Sequence, residues 1–142
     1  MSIFDYKDIT RVHALSSSYH FYIHGSVGPS EDYIDLLDTL YTATSSDIVY
    51  IHINSPGGYL DTACTILHAM AETEANVITC ADGLVASAGS LIFFAGQAMK
   101  IGEFCEVMLH DGSSGELGKI NEHLKSAEFT SRRISNIYHK IY

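Results

Sequence analysis

The chain reads as an α/β fold, a parallel sheet of repeated β-α units covered by helices. Three observations predict it. Strand-like and helix-like stretches alternate from Tyr19 to His110, and such alternation implies parallel pairing through right-handed crossovers. Two turns rich in small residues, Asn54-Ser55-Pro56-Gly57-Gly58 and Gly83-Leu84-Val85-Ala86-Ser87-Ala88-Gly89, each stand where a strand-like run gives way to a helical pattern. The composition, 46% hydrophobic and 18% charged over 142 residues, is that of one globular domain large enough to bury its own core.

Residues 1–18 mix charges with Ser16-Ser17-Ser18 and show no sustained period, so they read as an N-terminal arm ahead of a domain spanning 19–142. Tyr19 to His24 is a strand candidate, and Gly25-Ser26-Val27-Gly28 is the turn after it. Pro29 suits a first helical position, and Glu31 and Asp32 place negative charge where the helix dipole favours it. Tyr33, Leu36, Leu37, Leu40 and Tyr41 then follow helical spacing, with one face for the sheet. After the polar link 42–46, the β-branched and aromatic run Ile48-Val49-Tyr50-Ile51-His52-Ile53 reads as a buried strand leading into the first turn.

From Tyr59 a stripe of Ala63, Ile66, Leu67 and Met70 predicts a helix that ends at Glu72-Thr73-Glu74. Asn76-Val77-Ile78-Thr79-Cys80 is the next strand, followed by the second turn and an apolar run, Leu91 to Ala95, that continues as a helix. Glu106 to Gly112 reads as a short apolar strand with His110 at its end. Beyond the turn 112–115, Ile120, Leu124, Ala127, Ile134, Tyr138 and Ile141 fall near one helical face. The region 119–142 is therefore expected to be one long helix, or one broken near Thr130-Ser131, covering its own domain or another subunit.

Charge excludes some partners. Lys and Arg total 8 against 17 acidic residues, a formal charge of −9, and a surface of that sign repels both phosphate backbones and anionic membranes. Cys64, Cys80 and Cys105 are far apart, with no C-x-x-C pair, and read as free buried thiols of a reducing compartment. No stretch reaches transmembrane length, and the N-terminus has no basic segment followed by an apolar core. A cytoplasmic location is the expectation.

In a parallel α/β sheet, ligand chemistry gathers outside the carboxyl ends of the strands, which is where this reading puts both turns and His110. At a strand-to-helix turn several backbone N–H groups lack intrahelical partners and suit a developing negative charge. Ser87, flanked by Ala86, Ala88 and Gly89, is a hydroxyl that nothing large shields. A histidine leaving a strand is the base such a hydroxyl needs, so the parts of acyl transfer are present. The other histidines, His13, His20, His24, His52, His68, His123 and His139, show no zinc spacing and read as structural or surface residues. No metal or cofactor is expected. Ser55 and Ser90 read as turn and cap residues.

These stretches resemble a known family. Ile53-Asn54-Ser55-Pro56-Gly57-Gly58 matches the Ile-Asn-Ser-Pro-Gly-Gly turn of the Clp protease proteolytic subunits (ClpP), serine peptidases of crotonase-like fold. Ala86-Ser87-Ala88-Gly89 is similar to their nucleophile turn, usually Ala-Ser-Met-Gly, and Met108-Leu109-His110 resembles their Met-Ile-His. The three occur in the family's order, and the resemblance covers roughly Tyr19 to Tyr142. The resemblance implies a ClpP/crotonase-like fold with a C-terminal handle strand and long helix over 110–142. It implies Ser87 as nucleophile, His110 as general base, and the N–H groups of Gly58 and Ala88 as the oxyanion hole. It further implies a homo-oligomeric ring, or two stacked rings, acting on polypeptide with a AAA+ unfoldase as partner.

Two departures belong beside it. The family's third catalytic residue is an Asp beyond the handle helix, whereas this sequence has no Asp after Asp111 and stops within that helix, so the C-terminal end of the family domain is expected to be missing. Gly112 stands where the family commonly has Pro. Asp111 adjoins His110 too closely to orient it, and Glu116, Glu122 and Glu128 read as solvated. An alternative is therefore a catalytically impaired or silent ring subunit. A Ser-Lys dyad would draw on Lys100, Lys119, Lys125 or Lys140, none of them in a motif. A crotonase-type enzyme holding a thioester enolate is a third reading, against which a serine in a nucleophile-like turn weighs.

Overall fold

Val49, Ile51 and Ile53 are fully buried while Tyr50 and His52 between them are only half-buried, the period of two that marks a strand with one face on a core. The computed structural model describes residues 15–109 and places this strand, β2 (Ile48–Ser55), inside a five-stranded sheet. Its neighbours are β1 (Ser18–His24) and β3 (Asn76–Ala86). Beyond them, β4 (Ala98–Ile101) pairs with Ile78 to Ala81 of β3, and β5 (Glu106–Met108) pairs with Leu84 to Ala86. Every pairing is parallel, as the alternation of elements requires.

Three α-helices cover one face: α1 (Ile34–Thr42), α2 (Leu60–Glu72) and α3 (Ala88–Phe94). Leu36 and Leu40 of α1, Ile66 and Met70 of α2, and Ile92 and Phe93 of α3 join the inward residues of β2 and β3 in one apolar cluster. Each such side chain, fully buried, contributes roughly 1.5–3 kcal/mol, so this face holds the domain together. Asp47 fastens the entry to the sheet: its carboxylate accepts the Ser17 and Thr44 N–H groups, both at 2.8 Å, and the Thr44 hydroxyl at 2.9 Å. These bonds hold its carboxyl below the usual carboxylate range, the Thr44 N–H being the largest cause.

The fold is the α/β sheet expected, with local corrections. Strand β1 begins at Ser18, the last residue of the stretch 1–18 read as an arm. Pro29 precedes a 3₁₀ turn, Ser30–Tyr33, rather than opening an α-helix. The largest correction concerns the second glycine stretch. Strand β3 continues through Gly83, Leu84, Val85 and Ala86, leaving Ser87 alone between strand and helix. Its extension has a cause in pairing: β4 leaves β3 after Ala81, β5 takes up the edge at Leu84, and the register against β2 shifts between Ile53 and Ser55. Strand β4, Ala-Met-Lys-Ile, is exposed throughout and carries no alternation that a sequence reading would register. The proposed handle strand and helix, 110–142, lie outside the described residues.

Candidate active site

The two small-residue stretches meet in space. A Cβ built on Gly57 would lie 2.6 Å from the Cβ of Ser87, 3.0 Å from the Ala86 carbonyl oxygen and 3.1 Å from the Ala88 nitrogen. Only a residue without a side chain allows that approach, and Gly57 also takes a φ of 105° that L side chains rarely adopt. Parallel pairing brings this about: Ser55 of β2 is in register with Val85 of β3, so both strands deliver their turns to the same end of the sheet. Asn54 helps to hold them there. Its side-chain oxygen accepts the Leu84 N–H at 3.1 Å, and it occupies the space a side chain on Gly83 would fill.

Ser87 has φ 52° and ψ −124°, alone among the described non-glycine residues in having positive φ. A non-glycine residue held this way costs about 1–3 kcal/mol and persists where surrounding structure enforces it. Here the enforcement comes from both sides. Ala86 is paired with Met108, and α3 begins at the next residue, with the Ser87 carbonyl accepting the Ser90 N–H at 2.9 Å and the Ser90 hydroxyl at 2.6 Å. The half-buried Ser87 hydroxyl itself makes no hydrogen bond with a described residue.

Two backbone donors belong to the turns that meet here. Val27 N–H donates to the Gly57 carbonyl at 2.7 Å, and Tyr59 N–H donates to the Val27 carbonyl at 2.9 Å. Because the peptide between Gly57 and Gly58 is trans and planar, fixing its carbonyl toward Val27 turns the Gly58 N–H the opposite way. That N–H donates to no described residue, and neither does the N–H of Ala88, which is 3% exposed at the first position of α3. Gly58 is exposed, but Ala88 is buried, and buried N–H groups are almost always paired in folded proteins; an Ala88 N–H with no partner among the described residues, next to the Ser87 hydroxyl, points to a site rather than to packing.

Glycine at position 58 has a structural reason: an added Cβ would lie 2.2 Å from the Val27 carbonyl oxygen and 2.7 Å from its nitrogen. The requirement comes from the fold itself. His110, the candidate base, lies outside the described residues. Strand β5 ends at Met108, whose register partner Ala86 immediately precedes Ser87.

Of the remaining candidates, His13, His123, His139, Lys119, Lys125 and Lys140 lie outside the described residues. His20, Tyr50, His52, Cys80, Asp82 and Lys100 line an open cavity of about 480 Å³ that Ser87 does not line. There His52 Nδ1 lies 2.9 Å from Asp82 Oδ2 and its Nε2 lies 3.0 Å from His20 Nδ1, with Tyr22 stacked on the His52 ring and Tyr50 on the His20 ring. These histidines belong to a side-chain network on the sheet. Lys100 sits over the Tyr50 ring, 5.0 Å from its centroid, so it does not serve Ser87 as a dyad partner. Burial pushes the Cys80 thiol up, and the Asp82 charge adds to this, which suppresses thiolate chemistry. All three cysteines are free, although only Cys80 is fully buried. Among the described residues no three His, Cys, Asp or Glu side chains are grouped so as to hold a metal ion, and no helix is long and apolar enough to cross a membrane.

Val27 and Ser55 were not marked in the sequence as parts of the site. Val27 acts through its backbone, which leaves no residue-type signal. Ser55 reads as an ordinary turn residue, yet it is fully buried, accepts the Gly57 N–H at 3.1 Å and lies 3.4 Å from the Gly57 carbonyl.

Comparison with known proteins agrees with the fold. A sequence model of the Clp protease family matches residues 11–141. The chain is 30% identical over 94 residues to "ATP-dependent Clp protease proteolytic subunit 1" of Streptomyces coelicolor, covering 63% of this chain and 43% of that protein. It is 31% identical over 94 residues to the protein of the same name from Gloeobacter violaceus, covering 63% and 48%. The matched stretch thus spans less than half the length of these relatives. The structure is similar to that of the ClpP1 N165D mutant from Listeria monocytogenes, with a TM-score of 0.72 at 25% identity, covering 86% of this chain and 71% of that one. With the family's sequence pattern matched over most of its length and the family's fold around it, the chain belongs to the Clp protease family.

Proposed function

We propose that the chain carries serine endopeptidase chemistry, hydrolysing peptide bonds of unfolded polypeptides within an oligomeric ring. Ser87 attacks the scissile carbonyl carbon while His110 takes its proton, and the N–H groups of Gly58 and Ala88 receive the negative charge that forms on the carbonyl oxygen. His110 then returns the proton to the leaving amine, and water, activated by the same imidazole, frees the acyl group from Ser87. The reaction requires no cofactor or metal. The observation that carries the reading is the Ser87 hydroxyl at positive φ, at the start of a helix, beside two N–H groups, none of the three having a hydrogen-bond partner among the described residues. An oxyanion donor is worth about 3 kcal/mol of barrier.

Family membership supports the wider setting: a homo-oligomeric ring, singly or in two stacked layers, fed by a AAA+ unfoldase. The names of the two curated relatives join ATP dependence to a proteolytic subunit, which suits such a partner. Three free thiols fit a cytoplasmic location.

A fluorophosphonate probe tests the chemistry. Covalent labelling of the unsubstituted chain, abolished by Ser87→Ala and strongly slowed by His110→Ala, is the expected result. No labelling, together with a ring-sized particle in light scattering, overturns the peptidase reading in favour of a silent ring subunit.

A further inference from the structure

We infer that Ser55 is a positioning residue for the candidate oxyanion hole, acting through the peptide between Gly57 and Gly58; the inference rests on the peptidase reading and extends it. Ser55 closes β2 and is fully buried. Its hydroxyl accepts the Gly57 N–H at 3.1 Å and faces the Gly57 carbonyl oxygen at 3.4 Å. That carbonyl is the acceptor of the Val27 N–H at 2.7 Å and of the Ser26 hydroxyl at 3.3 Å. One hydroxyl therefore sets the peptide on the N-terminal side of Gly57, and the group it faces belongs to the peptide whose N–H is the Gly58 donor. Rotation of either plane would re-aim that donor.

Ser55 also reaches the second donor. A Cβ on Gly89 would lie 3.4 Å from the Ser55 Cβ and 3.4 Å from the Ser55 carbonyl oxygen, so the start of α3 packs on this residue. Gly89 follows Ala88 directly, and a shift of Ser55 is felt at both N–H groups. The two candidate donors come from turns separated by a helix and a strand, and the Ser55 side chain is a physical link between them. The hydroxyl holds the first turn through Gly57, while the Cβ and carbonyl oxygen of the same residue pack on the start of α3. Its removal leaves the Gly57 N–H without its acceptor inside the fold.

The test compares Ser55→Ala, Ser55→Cys and Ser55→Thr with the unsubstituted chain, using a peptidyl fluorophosphonate and following the maximal acylation rate and the half-saturating probe concentration separately. Ser55→Ala is expected to lower the maximal rate about 10- to 100-fold and to move half-saturation less than about twofold, a loss confined to the transition state. Ser55→Thr keeps the hydroxyl, can turn its methyl toward Gly89, and is expected to recover most of the rate. Ser55→Cys fills the same space with a weaker hydrogen-bonding group, falls between the two, and serves if the alanine variant does not fold. Amide exchange at Gly57, slow in the unsubstituted chain, is expected to accelerate in Ser55→Ala. A maximal rate that Ser55→Ala and Ser55→Cys leave unchanged overturns the positioning role while the peptidase reading stands. Failure of the unsubstituted chain to label removes both.

Discussion

Gly57 and Ser87, thirty positions apart in the chain, share a space that only one Cβ can occupy: a second one, on Gly57, would lie 2.6 Å from that of Ser87. The contact makes the two small-residue turns one object. Gly57→Ala adds a clash and a side chain at φ 105°, the latter alone costing about 1–3 kcal/mol. It should lower stability by about 3 kcal/mol or more and abolish probe labelling. Part of that loss should return when Ser87→Gly is combined with it, because the clashing Cβ is gone. A double-mutant cycle by denaturant unfolding measures the coupling, and strict additivity would show that the two turns do not touch.

Ser87 taken alone gives the opposite sign. Its φ of 52° costs about 1–3 kcal/mol, while the entropy lost by placing glycine there costs roughly 0.5–1 kcal/mol. The strain is the larger quantity. Ser87→Gly should therefore raise the melting temperature by a few degrees while abolishing labelling, whereas Ser87→Ala abolishes labelling and keeps the strain. If Ser87→Gly melts below Ser87→Ala, the strained conformation is not enforced in solution.

How much of this was legible in the sequence depends on whether side-chain type carries the information. The β-branched runs and the apolar stripes of α1 and α2 state their partners through periodicity, so the parallel sheet could be read directly. Ser87, Gly58 and Ala88 could be picked out because small residues at a strand-to-helix joint are unusual and match a family pattern. The extension of β3 through Ala86 could not be read, because it depends on β5 replacing β4 along one edge, a non-local event that Gly83 seemed to argue against. The roles of Val27 and Ser55 were hidden for a related reason. One acts through backbone groups that every residue possesses, and the other through a hydroxyl whose meaning depends on what it faces after folding.

Asp47 gives a prediction in pH. Its carboxylate accepts three bonds that join the lead-in to β1, the link before β2 and Asp47 itself, and they hold its carboxyl below the ordinary range. A depressed carboxyl contributes stability that is fully present above its unfolded value and is lost as pH falls through the folded one. Thermal unfolding of the natural chain should thus lose this contribution below about pH 4. Asp47→Asn presents an N–H₂ group toward donors, so it should be less stable at pH 7, and the two curves should converge in acid. Parallel curves between pH 7 and pH 2.5 would rule out the ionised carboxylate as the source.

Gly58 separates a demand of the fold from a demand of the chemistry. Its φ is 149°, and an added Cβ would lie 2.2 Å from the Val27 carbonyl oxygen and 2.9 Å from the Val27 carbonyl carbon, both backbone atoms with no rotamer to yield. Relief requires Val27 to withdraw, which breaks its bonds to Gly57 and Tyr59 and disturbs a side chain that is fully buried. Gly58→Ala should accordingly destabilise the domain by about 3 kcal/mol or more. Unlike Gly57→Ala, it should do so by the same amount in a Ser87→Gly background, since neither clash involves Ser87. A loss of labelling with unfolding free energy unchanged would instead place the glycine requirement at the proposed oxyanion hole.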